Sequence, residues 1–284
     1  MELQWYPGHM TKARREMTEN VKKVDLVMEV LDARIPRSSR NPDIDEIAGQ
    51  KYRLVLLNKS DLAEKAVTDA WIHAFEAQGI PAVSLDGRTK TALKYIEKTI
   101  SGICSDLLEK RRKKGILKPQ ICVLVAGIPN TGKSTIINSL AGKNSLKTGN
   151  KPGVTKASQW LQAGGLLSLL DTPGILWPKF DDEETGTHIA FIGSLGEGIA
   201  DPVLLARELL SELLLRHSGL VNERYGTELT SENSGEEALF RVGEARKILK
   251  SGGGADEERT ASLVLNEFRS GKLGRISLER PGNV

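Results

Sequence analysis

The feature that most constrains the fold is an apolar run that leads into a glycine-rich loop and then a helix. The run spans 121–126, and the loop after it reads GIPNTGKST over 127–135, here named the phosphate loop. This order places backbone N–H groups and a helix N-terminus around an anion. Lys133 is expected to contact the β- and γ-phosphates of a nucleotide, and the Ser134 hydroxyl to bind Mg²⁺. The predicted nucleotide contacts in this loop are Asn130, Thr131, Gly132, Lys133, Ser134 and Thr135.

Short apolar runs alternate with helical patterns through the first part of the chain. Each run is rich in Leu, Val or Ile and is followed by turn residues, which is typical of buried strands in a parallel sheet. The predicted strands are 26–31, 53–57, 81–85, 121–126 and 166–170. The predicted helices are 7–24, 43–50, 64–78, 91–113 and 133–141. The alternation predicts an α/β fold with a doubly wound, mostly parallel sheet.

The pattern changes near residue 178. Beyond it, helical spacing continues without strand-like alternation and is interrupted by glycine-rich breaks. The predicted helices there are 183–195, 202–217, 236–250 and 257–270. We therefore predict two domains: an α/β domain over 1–178, and a small all-helical domain over 179–284, here named the helical region.

Composition excludes several classes of protein. The chain has no run of about 18 apolar residues, which argues against a membrane-spanning helix. Its two cysteines have no metal-ligand spacing. The net charge of +3 divides into +9 over 1–178 and −6 over 179–284, so the charge as a whole does not indicate a DNA-binding protein. We expect a soluble, cytoplasmic protein with no membrane partner and no DNA partner.

A second motif indicates which base is bound. Asn58, Lys59, Ser60 and Asp61 follow a predicted strand, and their pattern N-K-x-D resembles the guanine-specificity motif of Ras-like GTPases. The Asp61 carboxylate can accept hydrogen bonds from N1–H and the exocyclic amine of guanine, whereas adenine would leave it without donors. Asn58 is expected to hold the ring from the other edge, and the Lys59 stem to cover its face. A looser match follows the next strand, where backbone N–H groups would reach guanine O6 from Ser84, Leu85, Asp86 and Gly87.

A third motif is expected to sense the terminal phosphate. The sequence DTPG occupies 171–174 after a predicted strand. Asp171 is expected to hold Mg²⁺, and the N–H of Gly174 to contact the γ-phosphate. Thr155, in KPGVT over 151–155, resembles the switch threonine that closes on Mg²⁺ only in the triphosphate state.

The order of these motifs differs from that of a Ras-like GTPase, in which the phosphate loop comes first. Here the guanine motif precedes the phosphate loop, and the DTPG motif follows it, as in a circularly permuted GTPase. Further segments, WYPGHM at 5–10, DARIP at 32–36, SRNP at 39–42 and FRSGKLGRI at 268–276, resemble the RbgA/YlqF family of ribosome-biogenesis GTPases. The resemblance spans nearly the whole chain.

This resemblance implies a GTP-binding and GTP-hydrolysing switch that assists late assembly of the large ribosomal subunit. The partners it implies are ribosomal RNA and ribosomal proteins of the subunit precursor, and the cofactors are GTP or GDP with Mg²⁺. It suggests His9 as the residue that activates water when the particle docks, and Asn130 as a ligand of K⁺ beside the phosphates. The acidic helical region could still offer RNA a local basic face, composed of Arg241, Arg246, Lys247, Lys250, Arg269 and Lys272.

The residues leave alternatives open. Ile175 stands where Ras-like proteins use a glutamine to orient water, so intrinsic turnover is expected to be slow. One alternative is therefore a nucleotide-gated binding module with negligible turnover. Another is a permuted GTPase that acts on the small subunit. A third, an ATP-using enzyme with a phosphate loop, is disfavoured by Asp61.

Overall fold

The structure is a computed structural model that describes residues 7–142, 159–172, 182–196, 198–250 and 253–282. Side chains are described for these residues except 7–13, 90, 92 and 93. The predicted domain boundary at 178 lies outside the described residues.

A six-stranded sheet forms the centre of the first part of the chain, in the order β3-β2-β1-β4-β6-β5. The strands are β1 (Leu26–Asp32), β2 (Tyr52–Asn58), β3 (Ala82–Leu85), β4 (Ile121–Ala126), β5 (Gln159–Ala163) and β6 (Leu167–Asp171). All neighbouring pairs are parallel except β5 with β6, which is antiparallel. The mostly parallel α/β sheet predicted from the sequence is confirmed.

The strands that the sequence predicts are the buried ones. All seven residues of β1 are buried, as are all five of β6, because helices cover both faces of the sheet. The strand β5 was not predicted, since its sequence QWLQA contains no apolar run. It lies at the sheet edge, where three of its five residues are exposed and polar side chains cost little.

Ten α-helices are found in the described part of the chain. They are α1 (Pro7–Val21), α2 (Ile44–Ala48), α3 (Lys65–Ala77), α4 (Lys90–Ile103), α5 (Ser105–Lys113), α6 (Lys133–Ala141), α7 (Glu183–Phe191), α8 (Pro202–Tyr225), α9 (Gly235–Ala245) and α10 (Glu257–Ser270). The last four pack together in the helical region around a shared apolar core.

Four helix predictions differ clearly from the structure in extent. The helix predicted over 183–195 ends at Phe191. The predicted helix 91–113 is two helices, because the backbone leaves helical geometry at Cys104, with φ −101° and ψ 22°. The helix predicted to end at His217 continues to Tyr225 across a kink at His217. The helix predicted over 236–250 ends at Ala245, and Lys247 then takes a positive φ of 56° that closes the turn.

The helical region packs directly against the loop that follows β1. Ile35 and Ile128 belong to the same apolar core as the helical region, and both are fully buried. Arg34, 1% exposed, donates from one terminal nitrogen to the carbonyl of Phe268 at 3.0 Å, and its guanidinium lies over the Phe268 ring at 4.8 Å. The DARIP segment that carried the family resemblance is thus a contact between the sheet and α10.

A buried histidine joins the C-terminal segment to two helices. His188 in α7 is 1% exposed; its Nδ1 lies 2.9 Å from a Glu279 oxygen, and its Nε2 lies 3.1 Å from Glu212. Glu279 also accepts a hydrogen bond from the Arg37 backbone N–H at 2.7 Å. Burial opposes protonation of His188, but the hydrogen bonds to Glu212 and Glu279 outweigh it and raise the pKa to about 9. The imidazolium is therefore charged at neutral pH, between two carboxylates.

The raised pKa of His188 predicts a pH-dependent stability. Its protonation stabilises the fold fully below about pH 6.5, the unfolded value, and this contribution is lost as the pH rises through about 9. Between about pH 6.5 and pH 10 the free energy of unfolding should fall by on the order of 2 kcal/mol more than in His188→Gln. Urea denaturation at a series of pH values measures this difference. Parallel pH profiles for the two proteins would contradict it.

Candidate nucleotide site

The predicted site residues gather at one edge of the sheet. The parallel strands β1, β2, β3, β4 and β6 all end there, because parallel strands present their carboxyl ends on the same side. The residues at these ends are Asp32, Asn58, Leu85, Ala126 and Asp171. The guanine motif, the loop over 84–87, the phosphate loop and the start of the DTPG motif therefore meet, although up to 113 positions separate them in the sequence.

The phosphate loop has a backbone that only glycine permits at two positions. Gly127 has φ 149°, and a Cβ atom there would lie 2.5 Å from the Val30 carbonyl oxygen. Gly132 has φ 95°, and a Cβ atom there would lie 2.2 Å from Nδ2 of Asn58. These contacts are too close for a side chain, so the G-x-x-x-x-G spacing follows from how tightly the loop curls against β1 and β2.

Lys133 lies inside this loop. It is the first residue of α6 and is 7% exposed, and its Nζ donates to the Ile128 carbonyl at 3.2 Å. Burial lowers its pKa to about 8, while the negative charge of nearby Asp171 partly opposes the shift. This buried ammonium has little negative charge near it, so bound phosphates would neutralise it.

Asn58 connects three of the predicted motifs. Its Nδ2 donates to the Thr131 carbonyl in the phosphate loop at 2.6 Å, and its Oδ1 accepts from the Gly87 N–H at 2.9 Å. The sequence suggested that Asn58 holds the purine edge, but in the structure both ends of its amide bond to protein. Asn58 therefore positions the phosphate loop and the loop over 84–87 relative to each other.

Lys59 extends the same connection to β1. It has a positive φ of 58°, and its Nζ donates to the Asn130 carbonyl and to Oδ2 of Asp32, the latter at 3.0 Å. Asp32 is fully buried and also accepts from Arg34 at 2.8 Å. Burial opposes ionisation of Asp32, but Arg34 and Lys59 outweigh it and hold its pKa well below the usual range. The lysine of the guanine motif is thus held by a carboxylate that also binds Arg34.

Asp61 lies at the outer side of the site, where a base can reach it. Its side chain is 30% exposed, and its Oδ2 accepts from Arg88 at 2.6 Å. Arg88 also donates to Asp86 at 2.8 Å, and this hydrogen bond lowers the pKa of Asp86. No sequence motif indicated Arg88, which joins the two loops expected to flank the base.

The oxygen atoms available for a divalent cation fit Mg²⁺. Asp171 is fully buried at the end of β6, close enough to Lys133 to affect its pKa, and Ser134 follows Lys133 in the first turn of α6. Among the described residues no group of three or more His, Cys, Asp or Glu side chains could hold a metal ion. Proteins commonly bind Mg²⁺ through one or two such oxygen ligands, while phosphates and water fill its other coordination positions.

The phosphate loop also contacts the helical region. Asn130 has a positive φ of 62°, and its Nδ2 donates to the Gly193 carbonyl. Next to it, the Ser194 hydroxyl donates to the Pro129 carbonyl at 2.5 Å. Two adjacent residues of the loop are thus held by the turn after α7, a contact that no sequence pattern indicated.

Three predicted site residues are not described in full. Thr155 and Gly174 lie outside the described residues. His9 lies in the first turn of α1, but its side chain is not among those described. Ser84 and Leu85 lie in β3, beside β2, so only Asp86 and Gly87 of the segment 84–87 follow the strand.

Comparison with known proteins identifies the family of this chain. Residues 122–212 match a protein family described as "50S ribosome-binding GTPase". Ribosome biogenesis GTPase A of Priestia megaterium is 44% identical over 286 residues, which cover 100% of this chain and 99% of the relative. The chain belongs to the RbgA/YlqF family of ribosome biogenesis GTPases. The family resemblance stated from the sequence is confirmed.

More distant relatives agree with this assignment. Mitochondrial ribosome-associated GTPase 1 of Mus musculus is 32% identical, with 97% of this chain and 90% of the relative covered. The crystal structure of GNP-bound YlqF from T. maritima aligns with a TM-score of 0.64 at 30% identity, covering 96% of this chain and all of that one. The chain is therefore a GTPase, a GTP hydrolase that binds guanine nucleotide. No described helix is long and apolar enough to cross a membrane.

Proposed function

We propose that the protein is a GTP-operated switch that assists late assembly of the large ribosomal subunit in the cytoplasm. The observation that carries the proposal is the match of residues 122–212 to a family described as 50S ribosome-binding, within a chain related over its full length to ribosome biogenesis GTPases. The site geometry supports the switch, because the guanine motif and the phosphate loop bond to each other. The proposed partners are ribosomal RNA and ribosomal proteins of the subunit precursor.

The proposal includes Mg²⁺ held by Ser134 and Asp171, with Thr155 joining in the triphosphate state. Bound Mg²⁺ neutralises charge on the β- and γ-phosphates. Lys133 contributes a second positive charge from inside the loop. For K⁺ the proposed ligand is Asn130, whose side-chain amide nitrogen donates to Gly193 in this structure while its backbone carbonyl accepts from Lys59. The backbone N–H of Gly174 would donate a hydrogen bond to the γ-phosphate.

The proposal is tested by which ribosomal subunit the protein binds. The full chain, loaded with a non-hydrolysable GTP analogue, is sedimented with separated large and small subunits. We expect it to pellet with large subunits or their precursors, and less so with GDP. Pelleting with small subunits alone would instead support the small-subunit alternative.

Turnover is expected to depend on His9. An imidazole that accepts a hydrogen bond from water can activate it, and such groups contribute about 100-fold or more to a rate. In His9→Ala, GTP hydrolysis stimulated by large subunits should therefore fall about 100-fold, with binding of the GTP analogue unchanged. His73→Ala, which changes an exposed histidine on α3, is the matched control and should keep full stimulation. Equal rates in the two variants would remove His9 from the mechanism, and no stimulation of the wild type would favour a binding module.

A further inference from the structure

A cavity of about 740 Å³ lies between the phosphate loop and the helical region. Lys59 and Asn130 line it from the nucleotide side, and the turn after α7 and one side of α10 line it from the other. Its volume is within the range of sites that hold one small molecule or one nucleotide unit. Lys59 and Asn130 belong to both, but the guanine carboxylate Asp61 and the phosphate-loop serine Ser134 do not line the cavity, so it adjoins the nucleotide site without coinciding with it.

The described lining of this cavity is positively charged. Four cationic side chains line it, Arg34, Lys59, Arg269 and Lys272, and no described lining residue is a carboxylate. One carboxylate, Asp32, is shared by Arg34 and Lys59, so those two cations are only partly neutralised. A cavity with this balance favours an anion and disfavours a metal ion.

Arg269 is a cation of this cavity whose hydrogen-bond partners are carbonyl oxygens rather than carboxylates. Its Nε donates to the Phe191 carbonyl at 2.8 Å and one terminal nitrogen donates to Ala190 at 3.0 Å, so its hydrogen bonds go to carbonyls at the end of α7. It forms no ion pair with any described carboxylate. Burial and the nearby charge of Arg34 lower its pKa. A bound anion would relieve both effects.

Helix α10 presents hydrogen-bonding groups to the same space. Ser262, Asn266 and Arg269 are spaced four and three residues apart, so they lie on one face of the helix. Ser262 and Asn266 are exposed and also line a second, adjoining cavity of about 470 Å³ together with Arg259 and Glu258. Ile192, Leu195 and Leu205 form an apolar part of the lining, here named the apolar wall. The cations match a phosphate, the hydroxyl and amide groups match a sugar, and the apolar wall matches a base.

We propose that this cavity binds a nucleotide unit of single-stranded RNA, with the phosphate at Arg269 and Lys272 and the base against the apolar wall. The inference rests on the proposed function, because it names a place where the chain would hold ribosomal RNA. The adjoining cavity gives the strand a continuation past Ser262 and Asn266, which a free nucleotide would not need. RNA bound here would lie against the turn that holds Pro129 and Asn130 of the phosphate loop.

The test uses the full chain saturated with GDP and Mg²⁺, so that the nucleotide site is filled. Its probe is a fluorescein-labelled single-stranded RNA of about 10 nucleotides, and binding is read by fluorescence anisotropy. Asn266→Asp adds a negative charge with almost no change of shape, and Lys272→Gln removes a positive one. Each should weaken RNA binding about 10-fold or more and leave GDP affinity unchanged. The matched controls Gln78→Glu and Lys113→Gln make the same charge changes at exposed positions outside the cavity and should change binding less than about 2-fold.

Three results would overturn the inference. They are no RNA binding by the wild type, equal losses in variants and controls, and displacement of the RNA by GMP or inorganic phosphate at micromolar concentration. The last would indicate a free phosphate compound as the ligand. If the wild type also fails to pellet with ribosomal subunits, the proposed function fails too. If it pellets with large subunits while Asn266→Asp binds RNA like the wild type, only the assignment of this cavity fails.

Discussion

Asp61→Asn should convert the protein from a guanine-nucleotide binder into a xanthine-nucleotide binder. The carboxylate accepts two hydrogen bonds from guanine, whereas an amide accepts one and turns its N–H₂ towards the exocyclic amine. Xanthine carries an oxygen in place of that amine, so the amide finds an acceptor there. We expect GDP affinity to fall about 100-fold or more and XDP affinity to rise above it. Competition of both nucleotides against a fluorescent GDP measures the two effects.

The fold should tolerate this substitution. Asp61 is 30% exposed and its partner Arg88 is 69% exposed, so loss of their ion pair costs little stability. Asp69→Asn, which weakens the exposed pair between Asp69 and Lys65 on α3, is the matched control and should leave both affinities unchanged. A variant that still prefers GDP would show that Asp61 does not read the base.

Lys133→Met should abolish tight nucleotide binding without unfolding the protein. Lys133 is 7% exposed, and burial lowers the pKa of its ammonium to about 8, so replacing it with an apolar chain of similar length removes a desolvated charge. We expect GDP affinity to fall about 100-fold or more, because the lysine neutralises the β-phosphate in a site shielded from water. Calorimetric titration with GDP and urea denaturation of the nucleotide-free protein measure the two quantities.

The pH dependence of the wild type gives an independent check on Lys133. Only the protonated lysine neutralises phosphate, so GDP affinity should weaken as the pH rises above about 8. This dependence should be absent in Lys133→Met. Lys113→Met, at an exposed position on α5, is the control and should keep the wild-type affinity and pH profile. Loss of stability together with binding in Lys133→Met would mean that the lysine holds the loop rather than the phosphate.

The sequence was sufficient to predict the buried part of the sheet and the position of the phosphate loop. Buried parallel strands are apolar throughout, so β1, β2, β4 and β6 are visible as runs of Leu, Val and Ile. The two glycines of the loop are required by contacts with Val30 and Asn58, so their spacing is visible in the sequence as well. Motif order then predicted the permuted family, which the relatives confirm.

The remaining features depend on contacts between residues far apart in the chain. The edge strand β5 has polar, exposed residues that resemble a loop in sequence. The amide of Asn58 bonds to Thr131 and Gly87, 73 and 29 positions away, and a local motif cannot show these two contacts with the protein. The contact of Asn130 with Gly193 crosses 63 positions and joins the phosphate loop to the helical region. Such hydrogen bonds depend on tertiary packing and leave no local sequence pattern.

The central claim is that one guanine nucleotide contacts both Asp61 and Lys133. A crystal structure of the full chain with a non-hydrolysable GTP analogue and Mg²⁺ tests it most directly. We expect N1 and the exocyclic amine of guanine within about 3 Å of the Asp61 carboxylate, and the Lys133 ammonium within about 3 Å of the β- and γ-phosphate oxygens. Phosphates bound at Lys133 with the base turned away from Asp61 would contradict the account.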